Sequence, residues 1–296
     1  MNTHWWQLEF TFADPDQILS VLFERNLIQG SESKDATRTC VYVRGTPAEL
    51  HTVQTLLTAA GATVSTPEEI KEQNWVQQCP ELWTPIEFGE FRLLPVSEEQ
   101  SDTAEYINPI LGAVMPSGNE IFICPGMGFG TGHHESTQLS LHMLLELTRK
   151  NVRVKNVLDF GCGNGVLALA TVKLLSTPQS SLTVYAIDND ELAIDNARTN
   201  LRLNPTLAAP ITLAHETIKK GSCAYDLVLA NIYSEILRQY EEEIYSNLAP
   251  GGYAILAGLT VENELEIQEA FPGSRWDIVE RKILNGWLAL LYRRIK

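Results

Sequence analysis

Hydrophobic and polar residues alternate at the start of the chain, where Trp6, Leu8, Phe10 and Phe12 share one face of an extended segment and Gln7 and Glu9 take the other. That period of two predicts a half-buried strand. Asp14-Pro15 follows as an N-cap with proline at the first helical position, and Ile18, Leu22 and Arg25 recur at helical spacing, with Leu19 and Val21 widening the apolar stripe. A short strand is expected around Ile28–Glu32 and another through Val41 and Val43, ending at Gly45. Thr46-Pro47 then opens a second helix whose stripe is Leu50, Val53, Leu57 and Ala60. The order β-α-β-β-α predicts a small ferredoxin-like α+β domain over residues 1–62. It holds no motif with chemistry of its own, which leaves substrate recognition as its role.

Residues 63–120 read as a connector. Glu68 to Gln78 is compatible with a helix, and Phe91, Leu93 and Leu94 with a strand, while Pro80, Pro85, Pro95, Pro109 and Pro116 interrupt the rest. From 121 the pattern changes to strands alternating with helices. Val157–Phe160, Leu182–Ile187, Ile211–Leu213, Leu227–Ala230 and Tyr253–Ala257 are apolar runs of the kind buried on both faces of a parallel sheet. Helices are expected over Val166–Leu175, through Ala193, Ala197 and Leu201, and earlier through Leu139, Met143, Leu144 and Leu147. Two further apolar runs, Trp276–Val279 and Trp287–Tyr292, have only a turn at Asn285-Gly286 near them and no helix between, so they should pair antiparallel. Residues 121–296 are therefore expected to form a doubly wound α/β domain with seven strands, mostly parallel, and an antiparallel last strand.

A length of 296 residues suits two domains, long enough to bury a core without disulfides. No stretch of about eighteen apolar residues is present, and the N-terminus lacks a basic segment followed by an apolar one, so neither a membrane span nor a signal peptide is expected. Cys40, Cys79, Cys124, Cys162 and Cys223 form no C-x-x-C pair, which reads as reduced thiols in a cytoplasmic protein rather than a zinc site or a disulfide framework. The net charge of −15 argues against a large phosphate-binding surface, so no stable nucleic-acid binding is expected. The charge is uneven. Residues 61–150 hold four basic and thirteen acidic groups, a net −9. That is either a solvated surface or a field attracting a lysine-rich protein substrate.

The densest motif is Asp159-Phe160-Gly161-Cys162-Gly163-Asn164-Gly165, between a strand and a helix. Glycines suit a sharp turn with a ligand lying against the backbone, because a Cβ there would collide. A nicotinamide site spaces them G-x-G-x-x-G and faces a pyrophosphate; here the spacing is G-x-G-x-G, with an acid two residues before the first. A carboxylate beside the loop fits a cationic sulfonium nucleoside, S-adenosylmethionine. Asp188 ends the second strand, 23 residues after Gly165, where it can accept from both ribose hydroxyls; the other reading, a helix N-cap, suits Asp190. Asn231, in Leu229-Ala230-Asn231-Ile232-Tyr233, ends the fourth strand, and its carbonyl with neighbouring backbone carbonyls can hold an amine; the alternative is a turn asparagine. Tyr233 suits either adenine or substrate packing or the core. A fourth motif runs Pro125-Gly126-Met127-Gly128-Phe129-Gly130-Thr131-Gly132-His133-His134-Glu135-Ser136-Thr137 into an amphipathic helix; with no Cys or Asp partners nearby, its two histidines do not suggest a metal.

Phe129 to Thr137, Asp159 to Gly165, Asp188 and Ala230-Asn231 together resemble the bacterial methyltransferases of the large-subunit ribosomal protein numbered eleven. The resemblance implies a class I methyltransferase sheet and places the cofactor contacts on Thr137, Gly161, Asp188 and Asn231, beside Asp159, Gly163 and Thr131 of the same motifs. It also implies methylation of lysine ε-amines and an N-terminal α-amine, up to the trimethyl state. Where that family usually has Trp-Lys in the connector, this chain has Cys79-Pro80; Val96-Ser97 follows Pro95, and Cys124 precedes the loop proline.

The implied reaction is in-line displacement by a neutral amine. A free lysine, with a pKa of about 10.4, is mostly protonated at neutral pH, and no Glu or His in the motifs is a compelling general base. Positioning, with Asn231 holding the amine, is then the main catalytic device. Enzymes for a planar amide or nucleobase favour Asn or Asp followed by Pro-Pro-aromatic, whereas Ile232-Tyr233-Ser234 follows Asn231 here. A methyltransferase for another acceptor, and a non-catalytic ribosome-assembly module, are the alternatives. The intact Asp159, Gly161, Asp188 and Asn231 weigh against the second.

Overall fold

Two units divide the chain, Met1–Trp75 and Val76–Lys296. The computed structural model describes residues 4–13, 15–25, 27–35, 37–70, 83–97, 106–114, 117–125, 132–150, 152–177, 181–221 and 224–295. The first unit comprises β1 (His4–Thr11), α1 (Pro15–Glu24), β2 (Gly30–Ser33), β3 (Arg38–Gly45), α2 (Pro47–Ala59), β4 (Thr63–Val64) and β5 (Glu68–Ile70). Its sheet runs β2-β3-β1-β4 with every neighbour antiparallel, and β5 continues beyond β4 along the same edge of β1. The alternation in β1 delivers Leu8 and Phe10 to a core shared with Val41 and Val43 of β3 and with Ile18, Leu22, Val53 and Leu57 of the helices. A capping box starts α2: Thr46 N–H donates to Glu49 Oε2 at 2.7 Å, and Glu49 N–H to Thr46 Oγ1 at 3.4 Å.

Glu68–Ile70, compatible in sequence with a helix start, is a strand. It pairs antiparallel with Trp5–Gln7, so the open edge of β1 outweighs the local helical tendency. The remainder of that segment, to Gln78, lies outside the described residues.

The second unit opens with β6 (Ile86–Glu87), β7 (Arg92–Pro95), β8 (Tyr106–Asn108), β9 (Gly112–Val114) and β10 (Glu120–Ile123). β10, β7 and β6 form a small sheet in that order, and β8 and β9 a separate hairpin. There follow α3 (Glu135–Arg149), β11 (Asn156–Phe160), α4 (Val166–Leu175), β12 (Thr183–Asp188), α5 (Glu191–Leu203), α6 (Pro205–Ala208), β13 (Ile211–His215) and β14 (Tyr225–Asn231). The chain ends with α7 (Ser234–Gln239), α8 (Glu241–Asn247), β15 (Leu248–Thr260), α9 (Glu264–Ala270), β16 (Trp276–Leu284) and β17 (Trp287–Arg294).

Seven strands form the main sheet in the order β13-β12-β11-β14-β15-β17-β16. The first five are parallel, and β17 lies between β15 and β16, antiparallel to both. Asn285 and Gly286 join β16 to β17 at φ 49° and 84°, the positive pair that matches the twist of a tight hairpin. Successive residues of the central strands enter opposite cores: Val157 and Leu229 pack with α3 and α4, whereas Leu158 and Val228 pack with α7 and α8. Burial on both faces is why these strands read as unbroken apolar runs. The order reverses between β11 and β14, and this opens a crevice at the carboxyl ends of the strands.

Candidate active site

The loop after β11 has Gly161, Gly163 and Gly165 at φ 72°, 54° and 79°, backbone that L side chains rarely adopt. Gly161 N–H and Cys162 N–H both donate to Ile187 O, at 2.9 and 3.0 Å, and this fastens the loop to the end of β12. Asp188, at that end, accepts Gly163 N–H on Oδ2 at 2.9 Å and Asp190 N–H on Oδ1 at 3.0 Å. The helix cap is Asp190, whose Oδ1 accepts Leu192 N–H at 2.9 Å. Each Asp188 oxygen keeps acceptor capacity for a further partner.

Asp159 is completely buried behind the loop; neither carboxylate oxygen meets a donor in good hydrogen-bond geometry among the described residues, and the backbone N–H that faces it is that of Ala168. Burial drives its carboxyl up to about 7, and the nearby Asp188 adds to the shift. Burial also raises the Asp188 carboxyl. On the opposite wall, Asn231 Nδ2 donates to Thr137 Oγ1 at 3.2 Å; Asn231 Oδ1 is buried with no partner among the described residues. Thr137 lies fully buried in the first turn of α3, and His134 caps that helix, its Nδ1 accepting Ser136 N–H at 3.2 Å. The His134 ring meets Trp287 edge-on at 4.4 Å, and burial depresses its pKa, so the imidazole stays neutral near pH 7.

Thr137, Gly161, Gly163, Asp188 and Asn231 line one cleft of about 540 Å³. Asp159 sits beneath it, and Thr131 lies outside the described residues. Tyr233 lines the cleft at 63% exposure, which removes the core reading for that side chain. Phe160, inside the glycine motif, also lines the cleft, and sequence reasoning missed Trp287 and Tyr240 on its walls; Trp287 arrives from β17, far from every motif, and carries no local signal. No three of the described His, Cys, Asp and Glu side chains gather as a metal site. No lysine or arginine is among the described residues lining the cleft, and Asp188 and Asp190 are. A phosphate-rich cofactor has no cationic partner there, whereas a cationic nucleoside meets carboxylates and the open acceptor of Asn231. The residues fit S-adenosylmethionine.

Residues 21–295 match the family model for ribosomal protein L11 methyltransferase (PrmA). The chain belongs to that family. Among curated members, the ribosomal protein L11 methyltransferase of Carboxydothermus hydrogenoformans is 32% identical over 232 residues, covering 77% of this chain and 68% of its own. That of Sinorhizobium fredii is 33% identical over 223 residues, covering 75% and 72%. A crystal structure of ribosomal protein L11 methylase from Lactobacillus delbrueckii subsp. bulgaricus aligns with a TM-score of 0.57 and 25% identity, over 72% of this chain and 99% of that one. Membership makes the chain a methyltransferase, with S-adenosylmethionine as its cofactor. Among the described residues no helix is long and apolar enough to cross a membrane.

Proposed function

We propose that this chain methylates lysine ε-amines and the N-terminal α-amine of ribosomal protein L11, up to the trimethyl state, in the cytoplasm and on the protein free of the ribosome or during assembly. The unit at the N-terminus, a ferredoxin-like α+β fold, recognises that substrate, and residues 121–296 carry the class I methyltransferase sheet. When bound, S-adenosylmethionine supplies an electrophilic methyl group on a sulfonium. Asp188 accepts from the ribose hydroxyls, while Gly163 offers the nucleoside bare backbone and Gly161 makes room for the Ile232 side chain packed against it. Asp159, its ionisation favoured by a bound sulfonium, then adds negative charge behind the loop; Thr137 contributes from the first turn of α3 and Thr131 from the motif before it.

One observation supports the choice of an amine above the rest. The Asn231 Oδ1 acceptor is buried and unpartnered in the cleft, with its amide end tied to Thr137. A buried acceptor costs stability until it meets a donor, and a neutral amine held there keeps its lone pair free to point away. His134 spends Nδ1 on Ser136 and is held neutral, so proton removal is left to solvent exchange of the lysine before it enters. Catalysis then rests on orientation and desolvation.

The test is incubation of the purified chain with radiolabelled S-adenosylmethionine and a ribosome-free cell extract, followed by identification of the labelled species. Label on L11 lysines and its N-terminus is expected. Label confined to RNA overturns the acceptor assignment.

A further inference from the structure

A ladder of buried side chains runs from the glycine loop to the strand that leads into the opposite wall of the cleft. Asn200, in α5 and completely buried, donates Nδ2–H to Asn164 O at 2.8 Å and accepts Cys124 N–H on Oδ1 at 2.7 Å. One turn later Asn204 accepts Phe122 N–H at 2.9 Å, and its Nδ2 donates to Phe122 O at 2.6 Å and to Asn200 O at 2.8 Å. β7 pairs with one edge of β10, and these two asparagines bond to backbone groups of Phe122 and Cys124 at its end.

The two side chains differ in one respect. Asn204 grips only β10 and its own helix, whereas Asn200 also holds the peptide between Gly163 and Gly165. Gly165 has positive φ and no Cβ to limit its side of the Asn164–Gly165 peptide, whose N–H donates to Cys162 O at 2.8 Å inside the loop and whose carbonyl is held from outside by Asn200. Below the loop, Ala197 Cβ lies where a Cβ on Gly165 would approach to 3.3 Å, so α5 is already close packed against it. Its upper side, Gly161 to Gly163, faces the cleft.

We propose that Asn200 is a positioning residue for the methyl donor: it fixes the glycine loop against α5 and ties it to Cys124, at the start of the segment that ends in His134 and Thr137. It touches neither donor nor acceptor. This assignment rests on the glycine loop being the donor site.

The experiment compares Asn200→Ala with Asn204→Ala in the full chain. Both remove a buried amide that bonds to β10, so both lower Tm. Asn200→Ala raises the S-adenosylmethionine KM and the calorimetric Kd roughly tenfold, the scale of one or two lost hydrogen bonds. Its kcat at saturating substrates stays within about twofold, and Asn204→Ala leaves Kd within about twofold. If Asn200→Ala does not fold, Asn200→Ser takes its place in the same comparison. Equal donor affinity in the two variants, whether both normal or both weak, overturns the proposal. Wild-type protein that takes up no S-adenosylmethionine overturns the donor-site reading itself, a result separable from normal wild-type binding with an undiminished Asn200 variant.

Discussion

Asn231 Nδ2 donates to Thr137 Oγ1 across 3.2 Å, and the amide oxygen of Asn231 is left buried with no partner among the described residues. The two residues come from the end of β14 and the first turn of α3, 94 positions apart in the chain. If Asn231 orients the acceptor amine, Asn231→Ala lowers kcat at saturating substrates by roughly 100-fold, the scale of a misplaced reacting group. Thr137→Val keeps the volume and frees the amide to rotate, with a smaller loss of about fivefold. Steady-state kinetics on both variants decides the matter. Full turnover in Asn231→Ala removes the assigned role.

Asp188 is held by Gly163 N–H and Asp190 N–H with acceptor capacity left over. Asp188→Ala should weaken S-adenosylmethionine binding roughly 10- to 100-fold, as expected for loss of charge-assisted hydrogen bonds. Asp188→Asn, which retains one carbonyl acceptor, should lie between the two. Calorimetric titration measures both, and a variant that binds like wild type would show that the ribose is gripped elsewhere.

Where local pattern sets the conformation, the sequence was readable. Asp188 and Asn231 each end an apolar strand, Asp159 is the penultimate residue of another, and the glycine spacing marks the turn between β11 and α4, so the parallel frame and the groups at its rim follow from neighbours in the chain. Long-range pairing was not readable. Glu68–Ile70 became a strand because β1 had an edge for it, and Trp287 entered the cleft because β17 inserts between β15 and β16. Asn200 and Asn204 carry no local signal, because their bonds to Cys124 and Phe122 span 76 and 82 residues.

Gly258 is a second point where backbone approaches backbone beside Asn231. At φ 79°, a Cβ on it would sit 2.5 Å from Ile232 O and 2.9 Å from Ile232 C. Gly258→Ala therefore presses on the backbone of Ile232, the residue after Asn231. A stability loss of about 1–3 kcal/mol is expected from the left-handed backbone and the collision, together with a fall in kcat. Urea unfolding and initial rates report the two effects, and unchanged kcat in the folded variant argues against Ile232 as part of the amine site.

Glu120 anchors the small sheet. Burial pushes its carboxyl up, but Ser117 N–H at 2.9 Å, Ser117 Oγ at 2.5 Å and Arg92 Nη2 at 2.9 Å favour the anion more strongly and carry it down to about 2. The folded value lies below the unfolded 4.5, so this stabilisation is complete above pH 4.5 and is lost as the pH falls toward 2. Glu120→Gln should cost on the order of 3 kcal/mol at neutral pH. The difference from wild type should shrink through that acid window, and a gap that is constant with pH contradicts it.

Asp159 titrates in the opposite sense. Burial, with Asp188 adding to it, raises its carboxyl to about 7 in the folded chain, against 3.8 for the free side chain. The unfolded chain therefore loses this proton first on the way up in pH. The contribution to stability is full below pH 3.8 and disappears as the pH rises through 7. Asp159→Asn keeps the shape and removes the titration, so in the cofactor-free protein it should gain on wild type between about pH 4 and 7, by a few kcal/mol at most, and hold that gain above. Urea midpoints of the two proteins across this range give the comparison. Parallel curves would mean that the carboxylate stays ionised throughout, its charge met by a group other than those facing it from β12 and the glycine loop.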